Sequence, residues 1–269
     1  AMIAFAGNSL LCRLALKEFQ IDAASFTSIR IISGALVLYL IVRTRREAAR
    51  SSGDWPSALA LFGYAAAFSY AYVDLPAAIG ALLLFGAVQV TMIGYGLSRG
   101  ERLALRQSAG LVLAFGGLVG LLLPGLSAPP PGGAALMLGA GVAWGVYSIR
   151  GKAAGDATCT TAGNFLRATP LAVGLNLVML PASQTATLGI ACAMASGAVT
   201  SGIGYAIWYS AIRGLRATHA ATVQLSVPVI AAAGGIVFLG EAISARLVIA
   251  SAAILGGVAF VVIEKPSPR

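Results

Sequence analysis

The sequence predicts an all-α integral membrane protein, with ten transmembrane helices arranged as two inverted five-helix repeats and both termini in the cytoplasm. Three observations predict this fold: the apolar composition, the length of the apolar stretches, and a motif that recurs in the second half. Of the 269 residues, 58% are hydrophobic and only 10% are charged, whereas a soluble domain carries roughly 25% charged residues. So few charges cannot cover the surface of a soluble protein of this size.

The apolar stretches are about 18–25 residues long, the length of helix that crosses a hydrocarbon core. No segment between them is long enough for a soluble domain, so we predict a single membrane domain over residues 1–269. The chain starts directly in an apolar run, without the basic start or cleavage motif of a signal peptide, so we expect this first run to be a span. We predict helices at 2–17, 24–42, 56–74, 76–98, 106–123, 133–150, 159–180, 186–211, 217–239 and 246–263.

The basic residues predict the orientation of these helices. Of the 18 lysines and arginines, 13 lie in the tail and in loops on one side of the predicted bundle, and only Lys17 and Arg246 lie in loops on the other. Cytoplasmic loops carry an excess of lysine and arginine, so this distribution places both termini in the cytoplasm. The net charge of +9 therefore reflects membrane orientation and not an affinity for nucleic acid. We expect a multi-pass protein of a bacterial inner (cell) membrane.

A motif of the first half recurs in the second half after 140 residues. It consists of a Gly-Glu pair, an arginine five residues after the glutamate, and a Gly-Gly pair ten residues further on. The two copies are Gly100-Glu101, Arg106 and Gly116-Gly117, and Gly240-Glu241, Arg246 and Gly256-Gly257.

Nearer the start of each half, a shift of 137 residues aligns Arg13 with Arg150 and Arg30 with Arg167. We therefore predict two repeats, residues 1–124 and 133–265. Each repeat has five helices, an odd number, so the two repeats must have opposite orientations in the membrane. Inverted repeats are typical of secondary transporters, whose substrate site lies near the middle of the membrane between the repeats.

These two halves, each ending in a Gly-Glu turn and a helix with a Gly-Gly pair, resemble the EamA-type drug/metabolite transporter superfamily. Within it, the sequence is similar to the YddG-type bacterial exporters of aromatic amino acids. The resemblance covers nearly the whole chain, and it implies a small-molecule substrate and a cavity lined by the first, third, fourth, sixth, eighth and ninth helices. It also implies that the fifth and tenth helices are peripheral.

Amide side chains within the apolar spans are the first candidates for a substrate site. Burying an unpaired amide in hydrocarbon costs several kcal/mol, so each must face another helix or a wet cavity. Hydrogen bonding between helices, at about 0.6 kcal/mol per contact, is the alternative to a role in binding. Asn8, Gln89 and Gln224 lie on helices that the resemblance assigns to the cavity, and we take them as substrate-binding candidates.

Aromatic side chains on the same helices are the second set of candidates. Residues 205, 208 and 209 share one face of the eighth helix, and residues 144 and 147 share one face of the sixth. An aromatic belt at the membrane interface is the alternative, and it suits Tyr72, Tyr147, Trp208 and Tyr209, which are near helix ends. Aromatic walls with a few amides suit a planar solute with a polar end, such as an aromatic amino acid. The aromatic candidates are Tyr70, Tyr95, Trp144, Tyr147, Tyr205 and Trp208.

Two residues of the ninth helix are candidates for movement. Pro228 removes one backbone hydrogen bond and frees the carbonyl of Gln224, so it can act as a hinge or form a static kink. His219, near the start of that helix, is either a gate or a polar residue at a helix end.

Four charged residues have two interpretations each. Arg30 and Arg167 lie roughly 9–12 Å inside their helices at 1.5 Å per residue. Their side chains can extend to the membrane interface or pair with other groups of the protein. Alternatively, they can bind the carboxylate of a substrate. Glu101 and Glu241 precede the fifth and tenth helices, where a carboxylate can cap a helix N-terminus.

Several classes of function are disfavoured. The three cysteines and one histidine are too few for a disulfide framework or a Cys/His metal cluster, and we expect no metal, cofactor or catalytic residue. No acidic residue lies near the middle of a span, which argues against proton-driven export of cationic drugs. An exporter of other metabolites or of cationic drugs and a nucleotide-sugar-like exchanger remain alternatives. A membrane-embedded enzyme and a channel-like bundle fit the sequence less well, and a homo-oligomer is possible from the Gly-x3-Gly spacings.

Overall fold

The computed structural model describes residues 1–44, 53–99, 105–123, 128–152, 155–179, 186–212, 224 and 226–262, and these residues form ten helices and no strand. The predicted bounds are confirmed to within two residues for nine of the helices. For the ninth, the described helix starts at Ser226, and the predicted start at 217 lies outside the described residues. The helices are α1 (Met2–Lys17), α2 (Ala23–Thr44), α3 (Trp55–Asp74), α4 (Ala77–Ser98), α5 (Leu105–Leu122), α6 (Pro131–Lys152), α7 (Ala157–Met179), α8 (Thr187–Ile212), α9 (Ser226–Leu239) and α10 (Ala245–Val262).

Within the described part of the chain, four of these helices are long and apolar enough to cross a membrane by length and composition, namely α2, α4, α6 and α8. Shorter apolar stretches occur in α5, α9 and α10. In α7, the polar side chains Asn164 and Asn176 lower the hydropathy, and both are hydrogen-bonded to other helices or loops.

Aspartates fix the starts of three helices. Asp22, Asp54 and Asp156 each accept a hydrogen bond from the backbone N–H three residues later, at 2.7–2.8 Å, at the starts of α2, α3 and α7. This is the usual N-cap interaction, which satisfies one of the backbone donors that a helix leaves free at its start. Pro56 adds to the start of α3, because a proline in the first turn loses no intrahelical hydrogen bond.

The helices pack in a regular set of pairs. In the centre, α3 packs against α6 and α8 packs against α1, while α4 contacts α6 and α9 contacts α1. The helix α2 packs against α7. The pair of α5 and α10 lies at the side of this group, where both helices mainly contact each other and touch the rest of the bundle through α4. This position agrees with the peripheral fifth and tenth helices that the resemblance implies.

The two Gly-Gly pairs of the repeated motif lie on the contact between α5 and α10. A Cβ atom at Gly257 would lie 2.4 Å from the backbone oxygen of Gly110, and one at Gly117 would lie 2.8 Å from the Cβ atom of Ala253. The neighbouring Gly116 and Gly256 have nothing within 4 Å of such an atom. One glycine of each pair therefore allows the two helices to approach closely, as small residues do in membrane bundles.

The helix α8 is not a regular α-helix throughout. Its middle segment, Ser196–Ile203, has π-helical hydrogen bonding between the α-helical segments Thr187–Ala195 and Gly204–Ile212. Here α8 passes close to α2, and a Cβ atom at Gly197 would lie 2.0 Å from the backbone oxygen of Arg30. Such π-helical turns are rare and occur often at functional sites.

Replacing Gly257 by alanine should destabilise the protein, because the added methyl group collides with backbone atoms of α5 that cannot move independently. We expect Gly257→Ala to lower the free energy of unfolding by about 1–3 kcal/mol, as overpacking does. Thermal unfolding of the purified protein in detergent measures the effect. The matched control is Gly256→Ala, which has open space around its methyl group and should be neutral or slightly stabilising. Equal effects of the two variants would contradict the assigned contact.

Candidate functional site

Arg30 of α2 lies at the centre of a polar cluster in the middle of the bundle. Its side chain is 1% exposed, so it does not reach toward the interface, and that interpretation of Arg30 is wrong. Its Nε donates a hydrogen bond to Ser201 Oγ at 2.9 Å, and its Nη2 donates to the hydroxyls of Tyr64 and Tyr205 at 3.0 and 2.8 Å. These partners join α2, α3 and α8 through one guanidinium group.

Aromatic rings surround this guanidinium group. The rings of Tyr64 and Phe68 each lie with their centroid 5.0 Å from the Arg30 Cζ atom, within the range of cation–π contacts. Trp144 of α6 contacts Tyr64 and Tyr205, with centroid distances of 5.1 and 4.6 Å. We call Tyr64, Phe68, Trp144, Tyr205 and Arg30 the central cluster.

Three further aromatic residues extend the central cluster. Phe5 of α1 contacts Trp144, Tyr205 and Trp208 edge to face at 5.5–5.8 Å, and Phe165 of α7 contacts Tyr205 at 5.9 Å. The central cluster and its extensions thus draw on helices of both predicted repeats, including α2 and α7, which the resemblance did not assign to the cavity.

Asn8 of α1 connects the central cluster to the π-helical segment of α8. Its Nδ2 donates to the Tyr64 hydroxyl at 3.1 Å, and its Oδ1 accepts from Ser196 and Thr200. The amide is 2% exposed and both its ends are satisfied. Asn8 was predicted as a site residue, and the structure places it in direct contact with the central cluster.

The belt interpretation of the aromatic residues near helix ends is wrong. Tyr72, Tyr147, Trp208 and Tyr209 are at most 1% exposed, and therefore lie inside the bundle. Tyr147 contacts Trp144 at 5.7 Å, and the Tyr209 hydroxyl donates to the backbone oxygen of Tyr147 at 3.1 Å. These residues extend the aromatic core from the central cluster along α3, α6 and α8.

The two glutamine candidates are both buried. Gln224 accepts a hydrogen bond at 3.4 Å from Trp144 Nε1, which places it beside the central cluster. Gln89 is 2% exposed on α4. Of the predicted residues, the structure therefore brings Asn8, Trp144, Tyr147, Tyr205, Trp208 and Gln224 together.

Two aromatic candidates do not join the central cluster. Tyr70 is only half-buried on α3, and its hydroxyl lies near the loop residue Asp22. Tyr95 is exposed near the end of α4, where its hydroxyl accepts from Arg99 Nε at 3.1 Å. The position of each tyrosine along its helix did not determine which way its ring points.

The candidates for movement are described only in part. Pro228 is buried at the start of the described part of α9, and it lines an apolar groove between α9 and α10. His219 lies outside the described residues. Arg167, which aligns with Arg30, is half-buried and donates from Nη1 to the backbone oxygen of Gly163 in its own helix at 2.9 Å.

A polar contact closes one end of the bundle, which we call the Glu241 end. Both carboxylate oxygens of Glu241 accept from the backbone N–H of Ala77 at 2.9 Å, so Glu241 caps α4. The expectation that it caps the helix that follows it is wrong, because Ser244 caps α10. Arg13 lies 3.7 Å from Glu241 and donates to the backbone oxygens of residues 72 and 73. Glu101, the other predicted cap, lies outside the described residues.

A second polar contact lies at the opposite end, which we call the Asp54 end. Arg150 of α6 binds Asp54 through Nη2 and Ser57 through Nε, both at 2.9 Å, and the backbone N–H of Asp54 donates to Asn164 at 3.0 Å. Partial burial alone would raise the pKa of the Asp54 carboxyl, but the hydrogen bonds from Ser57 and Arg150 outweigh it, and the pKa lies below its usual value.

A cavity of about 460 Å³ opens beside this second contact, at the Asp54 end. It is lined by Asp54, Tyr95, Arg99, Val146, Ile149 and Arg150. Within the described residues, no group of three histidine, cysteine, aspartate or glutamate side chains could hold a metal ion.

Several residues of the central cluster were missed from the sequence. Tyr64, Phe68 and Phe5 were not predicted because single aromatic residues are common in apolar helices. Ser201 and Thr200 belong to a run of small residues that indicated only close packing. Arg30 is the signal that could have pointed to these residues. It lies well inside an apolar helix, and a buried guanidinium group requires hydroxyl or carboxylate partners.

This chain is similar to a known family, to a relative from a bacterium and to a solved structure. Residues 131–263 match the EamA-like transporter family. The uncharacterized protein PA1977 of Pseudomonas aeruginosa is 56% identical over 262 residues, which cover 97% of this chain and 91% of that protein. A solved crystal structure of another protein is similar with a TM-score of 0.70 over 97% of both chains, at 22% identity, which shows a shared fold.

Removing the Tyr64 hydroxyl should destabilise the centre of the bundle. It accepts hydrogen bonds from Asn8 and Arg30, and in Tyr64→Phe these buried donors lose an acceptor. We expect the free energy of unfolding to fall by about 1–3 kcal/mol. The measurement is unfolding of the purified protein in detergent. Tyr39→Phe on the exposed face of α2 is the control and should be neutral; an equally small effect at Tyr64 would contradict the network.

Proposed function

We propose that this chain is a secondary transporter that exports small organic solutes across the bacterial inner membrane, with aromatic amino acids as the best candidates, because residues 131–263 match the EamA-like transporter family. The observation that carries this proposal is the central cluster, in which aromatic rings and an arginine meet between helices of both halves of the chain. The family is one of membrane transporters, and the apolar helices agree with a multi-pass membrane protein.

The pattern of helix pairs supports the proposal that the halves are inverted repeats. If each helix of the first half is exchanged for its counterpart in the second, the pair α3 with α6 becomes α8 with α1, and α4 with α6 becomes α9 with α1. The pairs α2 with α7 and α5 with α10 are unchanged by the exchange. All of these pairs are present in the structure, as a two-fold relation between the halves requires.

The position of the central cluster supports a solute site between the halves. Phe5, Tyr64 and Phe68 come from the first half, and Trp144 and Tyr205 come from the second. Aromatic rings bury a large apolar area, while the amides of Asn8 and Gln224 offer polar contacts to the end of a solute. This composition suits a planar molecule with a polar group.

The two ends of the bundle support alternating access, in which the site opens to one side at a time. At the Glu241 end, the carboxylate of Glu241 connects the α9–α10 loop to the start of α4. It also lies beside Arg13 of α1. At the Asp54 end, a cavity opens beside the contact of Asp54 with Arg150. Rocking of the halves would break one set of contacts while it forms another.

Two alternatives remain open. An exporter of other metabolites or a nucleotide-sugar-like exchanger would use the same fold with a different solute. An exporter of cationic drugs is disfavoured, because the five residues of the central cluster include a positive charge and no carboxylate. A membrane-embedded enzyme is less favoured, since residues 131–263 match a transporter family.

Transport in proteoliposomes tests the proposed function. We expect the purified protein to move labelled phenylalanine and tryptophan faster than threonine or a quaternary amine. Trp144→Leu, which removes a ring from the central cluster, should reduce this transport at least tenfold. Trp55→Leu at an exposed position of α3 is the matched control and should retain wild-type transport. Transport of the quaternary amine alone, and only with a pH gradient, would contradict the substrate assignment.

Labelling of single cysteines tests the inverted arrangement. In a variant without Cys12, Cys159 and Cys192, we expect a cysteine at Ala242 to react with an impermeant thiol reagent added outside intact cells. A cysteine at Ser98 should react only after the membrane is permeabilised. Ser98 ends the fourth helix of the first half and Ala242 follows the fourth helix of the second half, and inverted halves place these two helix ends on opposite sides of the membrane. Reaction of both from the same side would contradict the inverted repeats and the solute site between them.

Pro228 is proposed as the point at which α9 bends during transport. Alanine would restore the backbone donor for the carbonyl of Gln224 and stiffen the helix. We expect Pro228→Ala to slow phenylalanine transport several-fold, while binding of phenylalanine, followed by quenching of tryptophan fluorescence, changes little. If transport by Pro228→Ala equals that of the wild type, Pro228 forms a static kink.

A further inference from the structure

The guanidinium group of Arg30 is buried without a carboxylate partner among the described residues. The two ion pairs there are Arg13 with Glu241 and Arg150 with Asp54, at opposite ends of the bundle. A charge in the interior is costly unless an opposite charge compensates it. The hydroxyls around Arg30 supply hydrogen bonds to it, but they supply no full negative charge.

Arg30 also has a donor that is not used. Its Nε and Nη2 atoms bind hydroxyl groups, but its Nη1 atom is buried and has no hydrogen-bond partner in the structure. Unpartnered buried donors are rare, and each one requires an explanation. An acceptor that reaches Nη1 from outside the chain would satisfy the donor and neutralise the charge together.

A second unused donor lies on the same side of α8. The indole Nε1 of Trp208 is buried and has no partner, and Trp208 follows Tyr205 by three residues in the α-helical segment Gly204–Ile212. Residues three apart share one face of an α-helix, and Tyr205 binds Arg30. Two unsatisfied donors therefore accompany the central cluster, which favours a ligand rich in acceptors.

Aromatic rings surround the guanidinium group. The ring centroids of Tyr64 and Phe68 lie 5.0 Å from its Cζ atom, and Trp144 packs beside Tyr64. A planar guanidinium group matches the geometry of a carboxylate better than an ammonium group does. The neighbouring rings would contact the apolar part of a ligand whose carboxylate reaches Nη1.

Arg167, which aligns with Arg30 in the other half, has a different environment. Its side chain is half-buried, and its Nη1 atom binds a backbone oxygen of its own helix. The interpretation that both arginines bind a carboxylate therefore applies best to Arg30.

On the basis of the proposed transport function, we propose that Arg30 binds the carboxylate of the transported solute, so that the substrates are aromatic carboxylates. The carboxylate is required for recognition and the amino group is not, because no acidic side chain of the described central cluster is placed to bind an ammonium group. In this structure the rings close around Arg30, so a solute reaches Nη1 only when the helices separate.

Four compounds with the same phenyl ring test this proposal through competition with labelled phenylalanine for transport into proteoliposomes. Phenylalanine carries both charged groups, phenylpyruvate carries only the carboxylate, and phenylalanine amide and phenylethylamine carry only the amine. We expect phenylpyruvate to compete about as strongly as phenylalanine, and both amines at least tenfold more weakly. Uptake of labelled phenylpyruvate is measured in parallel.

Substitutions at Arg30 give the second part of the test. Arg30→Met should raise the half-saturating concentration of phenylalanine at least tenfold, and Arg30→Lys, which keeps the charge but not the planar donors, should have an intermediate effect. Arg167→Met is the matched control and should leave this concentration unchanged. Elution as a single species in detergent checks folding, and if Arg30→Met does not fold, the four compounds on the wild type and Arg30→Lys decide the question.

The outcomes separate this inference from the proposed function. If the amines compete as well as the acids, or Arg30→Met transports phenylalanine with an unchanged half-saturating concentration, Arg30 does not bind the carboxylate although transport stands. If only the quaternary amine is transported by the wild type, transport also stands and the carboxylate proposal is overturned. If the wild type transports none of these compounds above empty vesicles, the proposed function itself fails.

Discussion

The burial of a positive charge in the middle of an apolar bundle is the constraint on which the rest of the structure depends. Arg30 can remain there because α3 and α8 place three hydroxyl groups around it. Those hydroxyls come from helices of both halves, so the need to solvate one guanidinium group joins the halves at their centre. The rings then fill the space around these hydrogen bonds.

The ten helices could be predicted from the sequence, because the length of an apolar run is a local property. The helix bounds followed from apolar runs, whereas the contact between α5 and α10 at the Gly-Gly pairs was found only in the structure. What local properties could not give is which neighbour a side chain meets. Glu241 was correctly assigned to capping, but it caps α4, which is more than 160 positions away in the chain.

The candidate site was predictable in kind but not in detail. Asn8, Trp144 and Tyr205 were found because amides and large rings in apolar helices are conspicuous. Tyr64 was overlooked and Tyr70 was chosen, although both lie on α3, because helical rotation places only one of them toward Arg30. The apparent depth of a residue along its helix also misled the interpretation of Tyr147 and Trp208, which are buried by packing between helices.

The π-helical segment of α8 determines the direction in which the side chains of the following turns point. A π-helical turn holds more residues than an α-helical turn, so the segment Ser196–Ile203 shifts the angular phase of the final turns. If the same residues formed a regular α-helix, those turns would be rotated by about 100° about the helix axis. Tyr205 would then no longer point at α2, and the arginine's hydroxyl shell would be lost without a change to any residue in it.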